Sequence, residues 1–133
     1  MMNFQAVKAI LDAAGFFTLS TLKDGAPEAR PFGAVTPFDG GLYLNTGSAK
    51  AVCGQLRADG RVCLCAFAAG AWVRIRATAA EDDRREAREA VLEAQPALRG
   101  MYAADDGSFA VFRLKEATAE IHRGSAVETL TLP

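Results

Sequence analysis

The sequence predicts a mainly β fold, an antiparallel six-stranded barrel with its helices outside, and three observations lead there. Strand-like runs follow one another across short turns. Helical patterns stand at the start, in the middle and near the end, so the βαβ alternation of a doubly wound sheet is missing. The 133 residues are enough for one real hydrophobic core but not for two. One domain spanning residues 1–133 follows, without internal repeats or linkers.

The elements are read in chain order. Phe4, Val7, Ile10, Leu11 and Ala14 recur at helical spacing, Asn3 can cap the helix start and Gly15 can end it in a left-handed conformation. Residues 16–22 are rich in aromatic and β-branched types, and Lys23-Asp24-Gly25 turns the chain into a second strand over residues 28–36. Asp39-Gly40-Gly41 turns it again into a third strand over 42–45. A short helix over 49–58 presents Val52 and Leu56 on one face and closes at Asp59-Gly60. Two strands, 61–68 and 71–80, flank the small-residue corner Ala68-Ala69-Gly70. Residues 81–95 are strong helix formers with acids at the start, arrested by Pro96. Residues 109–120 form the last long strand, and the tail from Ser125 carries no structural signal.

Half of the residues are hydrophobic and 23% charged, as in globular proteins, and a formal net charge of −1 gives no basic excess for nucleic-acid binding. The N-terminal stretch has no apolar run fit for a signal peptide or membrane span, which points to the cytoplasm. Cys53, Cys63 and Cys65 lack paired CxxC spacing, so they read as small buried apolar side chains rather than a disulfide framework or zinc site. A single histidine, His122, argues against a protein-only metal centre and against Ser-His or Cys-His catalysis, for which there is also no GxSxG elbow.

Three stretches can carry chemistry. In Leu42 to Val52, LYLNTGSAKAV, a strand breaks into small residues and enters a helix. Ser48 stands at the expected N-cap, Gly47 permits close approach of backbone, and Lys50 adds a formal charge to the partial positive charge of a helix N-terminus. These parts suit one phosphate; no GxxxxGK[ST] sequence supports a nucleotide-hydrolase loop. In Arg30-Pro31-Phe32-Gly33-Ala34, the proline belongs on an edge strand or bulge, the glycine lets a flat group lie on the backbone, and Arg30 can reach an anion. In Trp72-Val73-Arg74-Ile75-Arg76, alternation puts Trp72, Arg74 and Arg76 on one face and Val73 and Ile75 on the other. An outward Trp beside two arginines suggests an interface.

These stretches, in this order, resemble the FMN-binding split barrel of the pyridoxamine phosphate oxidase-like superfamily. The resemblance continues through Asp83-Arg84-Arg85-Glu86-Ala87, Gln95-Pro96-Ala97-Leu98, Met101-Tyr102 and Asp105-Asp106-Gly107-Ser108-Phe109, which are similar to short members related to nitroimidazole-resistance reductases. It covers roughly residues 3 to 122.

The resemblance implies a homodimer with FMN in the cleft between subunits. Arg30 and Lys50 would hold the phosphate, assisted by Ser48; Asn45 and Thr46 would lie along the ribityl chain or ring edge. The backbone of Pro31, Phe32 and Gly33 would lie by the isoalloxazine, and Trp72 and Arg74 would approach the site near the subunit boundary. The cofactor would perform hydride or electron transfer, in an oxidoreductase fed by NADH or NADPH and acting on a small molecule. The other functions this scaffold implies are a flavin or haem carrier without its own substrate, with His122 as the one histidine ligand, and a deazaflavin-dependent reductase. The turn carries Ala49 where the oxidases have a second basic residue, and the C-terminal substrate-binding segment of true pyridoxamine phosphate oxidases is lacking, so activity on pyridoxamine phosphate is not expected.

Overall fold

The computed structural model of the chain describes residues 4–133; the Asn3 cap lies outside the described residues. The elements are α1 (Phe4–Ala14), β1 (Phe17–Lys23), β2 (Ala26–Phe32), β3 (Thr36–Phe38), β4 (Gly41–Gly47), α2 (Ala51–Ala58), β5 (Arg61–Ala68), β6 (Ala71–Glu81), α3 (Arg85–Ala94), a 3₁₀ turn (Pro96–Gly100), β7 (Phe109–Arg123) and β8 (Ala126–Thr131). All pairings are antiparallel, in the order β2-β1-β5-β6-β7-β4-β3, with β8 added beside β7.

The expected mainly β architecture is present with eight strands rather than six. The strand expected over 28–36 is two: β2 stops at Phe32, and β3 begins at Thr36 after a break at 33–35. The strand missing from the reading of the tail is β8, whose residues are nearly all exposed, so no buried alternation marks it in the sequence. The third helix is shorter than expected because Glu81 completes β6 and Asp82-Asp83 form the connection to α3. Gly15 does end α1 at φ +82°, and the corners at Asp24-Gly25, Asp39-Gly40 and Ala69-Gly70 all place two successive residues at positive φ, as tight hairpins require.

The long strand β7 explains why the barrel is split. One edge of β7 pairs with β6 along nearly all its length, whereas its other edge pairs with β4 over Phe109–Arg113 and with β8 over Thr118–Arg123. Between those halves the register with β6 shifts by one extra residue, and Glu116 there adopts φ +51°. Such a bulge bends a strand and sharpens its twist, so β7 serves two neighbours in turn.

The core follows from alternation. Leu19, Leu64, Ile75 and Ala119 are cross-strand partners in one continuous row, and each is fully buried. Val73 and Ile121 extend the inner face, capped by Phe4, Val7 and Leu11 of α1 and by Val52 and Leu56 of α2. β4 is buried on both faces: Leu42 and Leu44 enter the barrel, while Tyr43 packs with Val91 and Leu92 of α3 in a second cluster. Cys53 is buried as the sequence suggested, but Cys63 is half-buried and Cys65 exposed, because both lie on the outward phase of β5. Among the described residues no helix is long and apolar enough to cross a membrane, and no group of three His, Cys, Asp or Glu is placed to hold a metal.

Asp82 ties the second cluster to the barrel. Its carboxylate accepts hydrogen bonds from Arg84 and, at 2.8 Å, from the Tyr43 hydroxyl. The Arg84 guanidinium, aided by the Tyr43 hydroxyl, holds the Asp82 carboxyl well below the usual range, whereas burial pushes the Tyr43 phenol up. A depressed folded-state value adds stability above about pH 4, which is lost as pH falls toward that value. Asp82→Asn is therefore expected to lose less of its melting temperature than the wild type on acidification from neutral pH to below about pH 4. Equal losses in both proteins, by thermal unfolding, would discount this residue's role.

Candidate functional site

The site begins at the open edge of the sheet. Among the described residues β2 pairs only with β1, so Pro31 removes no ladder bond on its free side. Arg30 is the cross-strand partner of Leu19 and therefore points to the inner face. There it meets α2: its Nη1 donates to the Leu19 carbonyl at 3.0 Å and its Nη2 to Gln55 Oε1 at 2.9 Å. Gln55 also accepts from the Thr21 hydroxyl and donates to Glu28. The guanidinium is thus held in place with donors to spare.

Beyond Arg30 the chain leaves the sheet at Gly33-Ala34-Val35 and returns as β3. The resulting cleft of about 290 Å³ is lined on one side by Arg30, Pro31, Phe32, Gly33 and Ala34. The end of β4 contributes Asn45 and Thr46, and α2 contributes Lys50 and Val52. Seven of the ten candidate residues, distant in sequence, thus share one cleft. Nothing lies within 4 Å of where a side chain on Gly33 would begin, so the backbone there is open to a flat group.

Lys50 is exposed and its ammonium makes no ion pair among the described residues. It, rather than Ser48, is the N-cap of α2, which starts two residues later than the sequence suggested. Ser48 turns away: its backbone N–H donates to the Ser108 carbonyl, and its side chain lines a separate cleft with Arg57 and Arg88. Gly47 serves packing rather than a ligand, because a Cβ there would stand 2.7 Å from the Tyr102 hydroxyl oxygen.

The far wall of the cleft comes from the end of α3 and the segment after it: Gln95, Leu98, Met101 and Tyr102. The sequence reading noticed these residues but gave them no site role. Gln95 is the C-cap of α3, immediately before Pro96, and its Nε2 donates to Thr36 Oγ1 at 2.9 Å and to Asn45 Oδ1 at 3.1 Å. A glutamine between a helical pattern and a proline was the available signal; only the packing of α3 on β4 brings it to Asn45.

Trp72 and Arg74 do not line this cleft. They stand on the outward face of β6, as the alternation predicted, with Val73 and Ile75 fully buried behind them. The Trp72 indole stacks on His122 at 3.8 Å and 7°, the Arg74 guanidinium lies over the indole at 4.9 Å, and Glu120 accepts from Arg74 and Arg76 and contacts His122. Cross-strand pairing sets Phe67, Trp72, His122 and Val127 in one outward row, with Phe67 69% and Val127 55% exposed. A row of apolar and aromatic groups this exposed is what a partner surface covers.

The family model described as pyridoxamine 5'-phosphate oxidase matches residues 4–123. Among solved structures, a NimC/NimA family protein from Clostridium acetobutylicum is 34% identical and superposes with a TM-score of 0.92, over 99% of this chain and 95% of that one. General stress protein 26 from Bacillus anthracis shares the fold at 14% identity and a TM-score of 0.70, over 93% of this chain and 94% of its own. A heme-binding protein from Mycobacterium smegmatis does so at 20% identity and a TM-score of 0.72, over 93% of this chain and 55% of its own. No curated protein matches the chain at a significant level. A match across nearly the whole chain, joined to the split antiparallel barrel, makes this protein a member of the pyridoxamine 5'-phosphate oxidase family, on the side related to nitroimidazole-resistance proteins.

Proposed function

We propose that the protein is an FMN-binding flavoprotein that works as an oxidoreductase on a small molecule, with electrons supplied by NADH or NADPH. The observation that carries this reading is the cleft, where two cationic side chains, Arg30 and Lys50, stand beside the open backbone of Pro31 to Gly33. That pattern fits a ligand with one phosphate and one flat ring system. Arg30, pre-positioned by Leu19 and Gln55, and the free ammonium of Lys50 bind the phosphate; Thr46 lies along the polar middle of the ligand and Asn45 at the ring edge. FMN, when bound, supplies hydride or electron transfer, while these residues bind, orient and partly exclude water from it.

A homodimer completes the site in this reading. The cleft lies at the lower end of the roughly 300–1,000 Å³ of small-molecule sites, so one protomer gives an incomplete enclosure. The outward row of Phe67, Trp72, His122 and Val127 offers a second copy a large apolar surface. Trp72 and Arg74, outside the protomer's own cleft, then reach a site only across that boundary. With one face of the indole stacked on His122 and the Arg74 guanidinium over the ring at 4.9 Å, Trp72 has its edge left for a ligand.

The alternative is a carrier of flavin or haem, motivated by the likeness to a heme-binding protein. His122, the one histidine, is engaged with Trp72 and Glu120 outside the cleft, which disfavours a haem iron ligated there. The purified protein is expected to be yellow with near-stoichiometric flavin that NADH or NADPH reduces. A deazaflavin spectrum would change the cofactor, flavin inert to both donors would make the protein a carrier, and colourless protein that FMN cannot reconstitute would overturn the proposal.

A further inference from the structure

The Asn45 and Gln95 amides carry an inference that rests on the flavin reading and deepens it. Gln95 Nε2 spends its donors on Thr36 Oγ1 and Asn45 Oδ1, at 2.9 and 3.1 Å. An amide side chain holds one acceptor oxygen and an NH₂ donor, so Gln95 Oε1 and Asn45 Nδ2 remain. Among the described residues no buried side-chain nitrogen or oxygen lacks a partner, and both residues line the cleft. The two remaining groups are therefore reached by solvent rather than buried, and the cleft is the surface that both residues line.

One is an acceptor and the other a donor, on two amides joined by a 3.1 Å hydrogen bond. Turning both amides over together preserves the network, with the Thr36 hydroxyl then donating, and still leaves one donor and one acceptor toward the cleft. The pair is also held firmly. Gln95 caps α3 with its N–H on the Val91 carbonyl, Val91 and Leu92 are fully buried, and Pro96 follows at once. A rigid donor–acceptor pair complements a ligand edge where a carbonyl and an N–H are adjacent, as in a cyclic amide or imide.

We propose that Asn45 and Gln95 form a reader of an imide edge, and that it holds the N–H and carbonyl of the pyrimidine end of the flavin while the ring lies against Pro31 to Gly33. The periphery of a haem offers no such edge, so the same pair selects flavin over haem. A site that hydrogen-bonds a ligand group rejects analogues that leave its own polar atoms unpaired.

The test compares FMN with N3-methyl-FMN, which lacks the imide proton, in reconstitution of protein stripped of its native ligand. Wild-type protein is expected to bind FMN about tenfold to a hundredfold more tightly than the methylated analogue. Gln95→Leu and Asn45→Ala, each checked for folding by thermal unfolding, are expected to bind FMN more weakly, close to the affinity for the methylated analogue, and so to lose most of that preference. Equal affinities in the wild type would overturn the reader and leave the flavin reading intact. A preference kept by a folded variant would overturn the assignment to these residues. Failure to bind either flavin would overturn both readings.

Discussion

Arg30→Ala is expected to leave the purified protein largely free of flavin. The guanidinium faces the inner side of an edge strand, anchored by the Leu19 carbonyl and Gln55 with Glu28 3.8 Å away, and it lines the cleft with donors to spare. A hydrogen bond to a charged group contributes about 1.5–3 kcal/mol, and here the loss is compounded because Gln55 gives up a partner. FMN affinity should fall by about a hundredfold, read by titration of reconstituted protein. Lys50→Ala should cost less, about tenfold, because its ammonium is exposed and hydrated. The two losses should not add, since both residues would share one phosphate. Ala49→Arg, which restores the second basic residue of the oxidases beside Lys50, should tighten binding several-fold and steepen its salt dependence. Unchanged flavin content in Arg30→Ala would remove this residue from the site.

Leu64→Ala is expected to produce the largest loss of stability. Leu64 lies on β5 between β1 and β6, fully buried between Leu19 and Ile75 in the central core row. Comparable leucine truncations cost about 3–5 kcal/mol through lost transfer energy and an unfilled cavity. Domains of this size are stable by only about 5–15 kcal/mol. The variant should therefore show a much lower denaturant midpoint with an unchanged slope. Because Leu64 is not among the cleft-lining residues, protein that remains folded should still bind flavin; a loss of binding without a loss of stability would contradict this separation of core from site.

The contrast between the two positions shows what local pattern can and cannot reveal. Leu64 is legible because period-two alternation over 61–68 and 71–80 fixes which side chains go inward, whatever the partner strands are. Trp72 and Arg74 were legible as outward for the same reason. Arg30 was legible as a possible anion ligand, but its inner-face orientation comes from pairing with β1. Ser48 was misplaced because a small hydroxyl residue before an apolar pattern signals a cap, whereas the last residues of β4 bond to the segment before β7 and delay α2 until Ala51. β8 was missed because an exposed hairpin strand has no buried face to imprint a pattern.

By itself the sequence determined the class of fold, the order of most elements and the identity of the residues able to carry chemistry. Each of these depends on interactions between neighbours a few positions apart: alternation, turn residues at positive φ, helix starts and stops. Only the tertiary structure decided that Arg30, Gly33, Asn45, Lys50 and Gln95 line one cleft, and that Ser48, Trp72 and Arg74 do not. It also decided that Gln95 grips Asn45 from across the second core. Those outcomes depend on strand register, on the bulge at Glu116 and on the docking of α3 against β4, which are settled by packing between segments far apart in the chain.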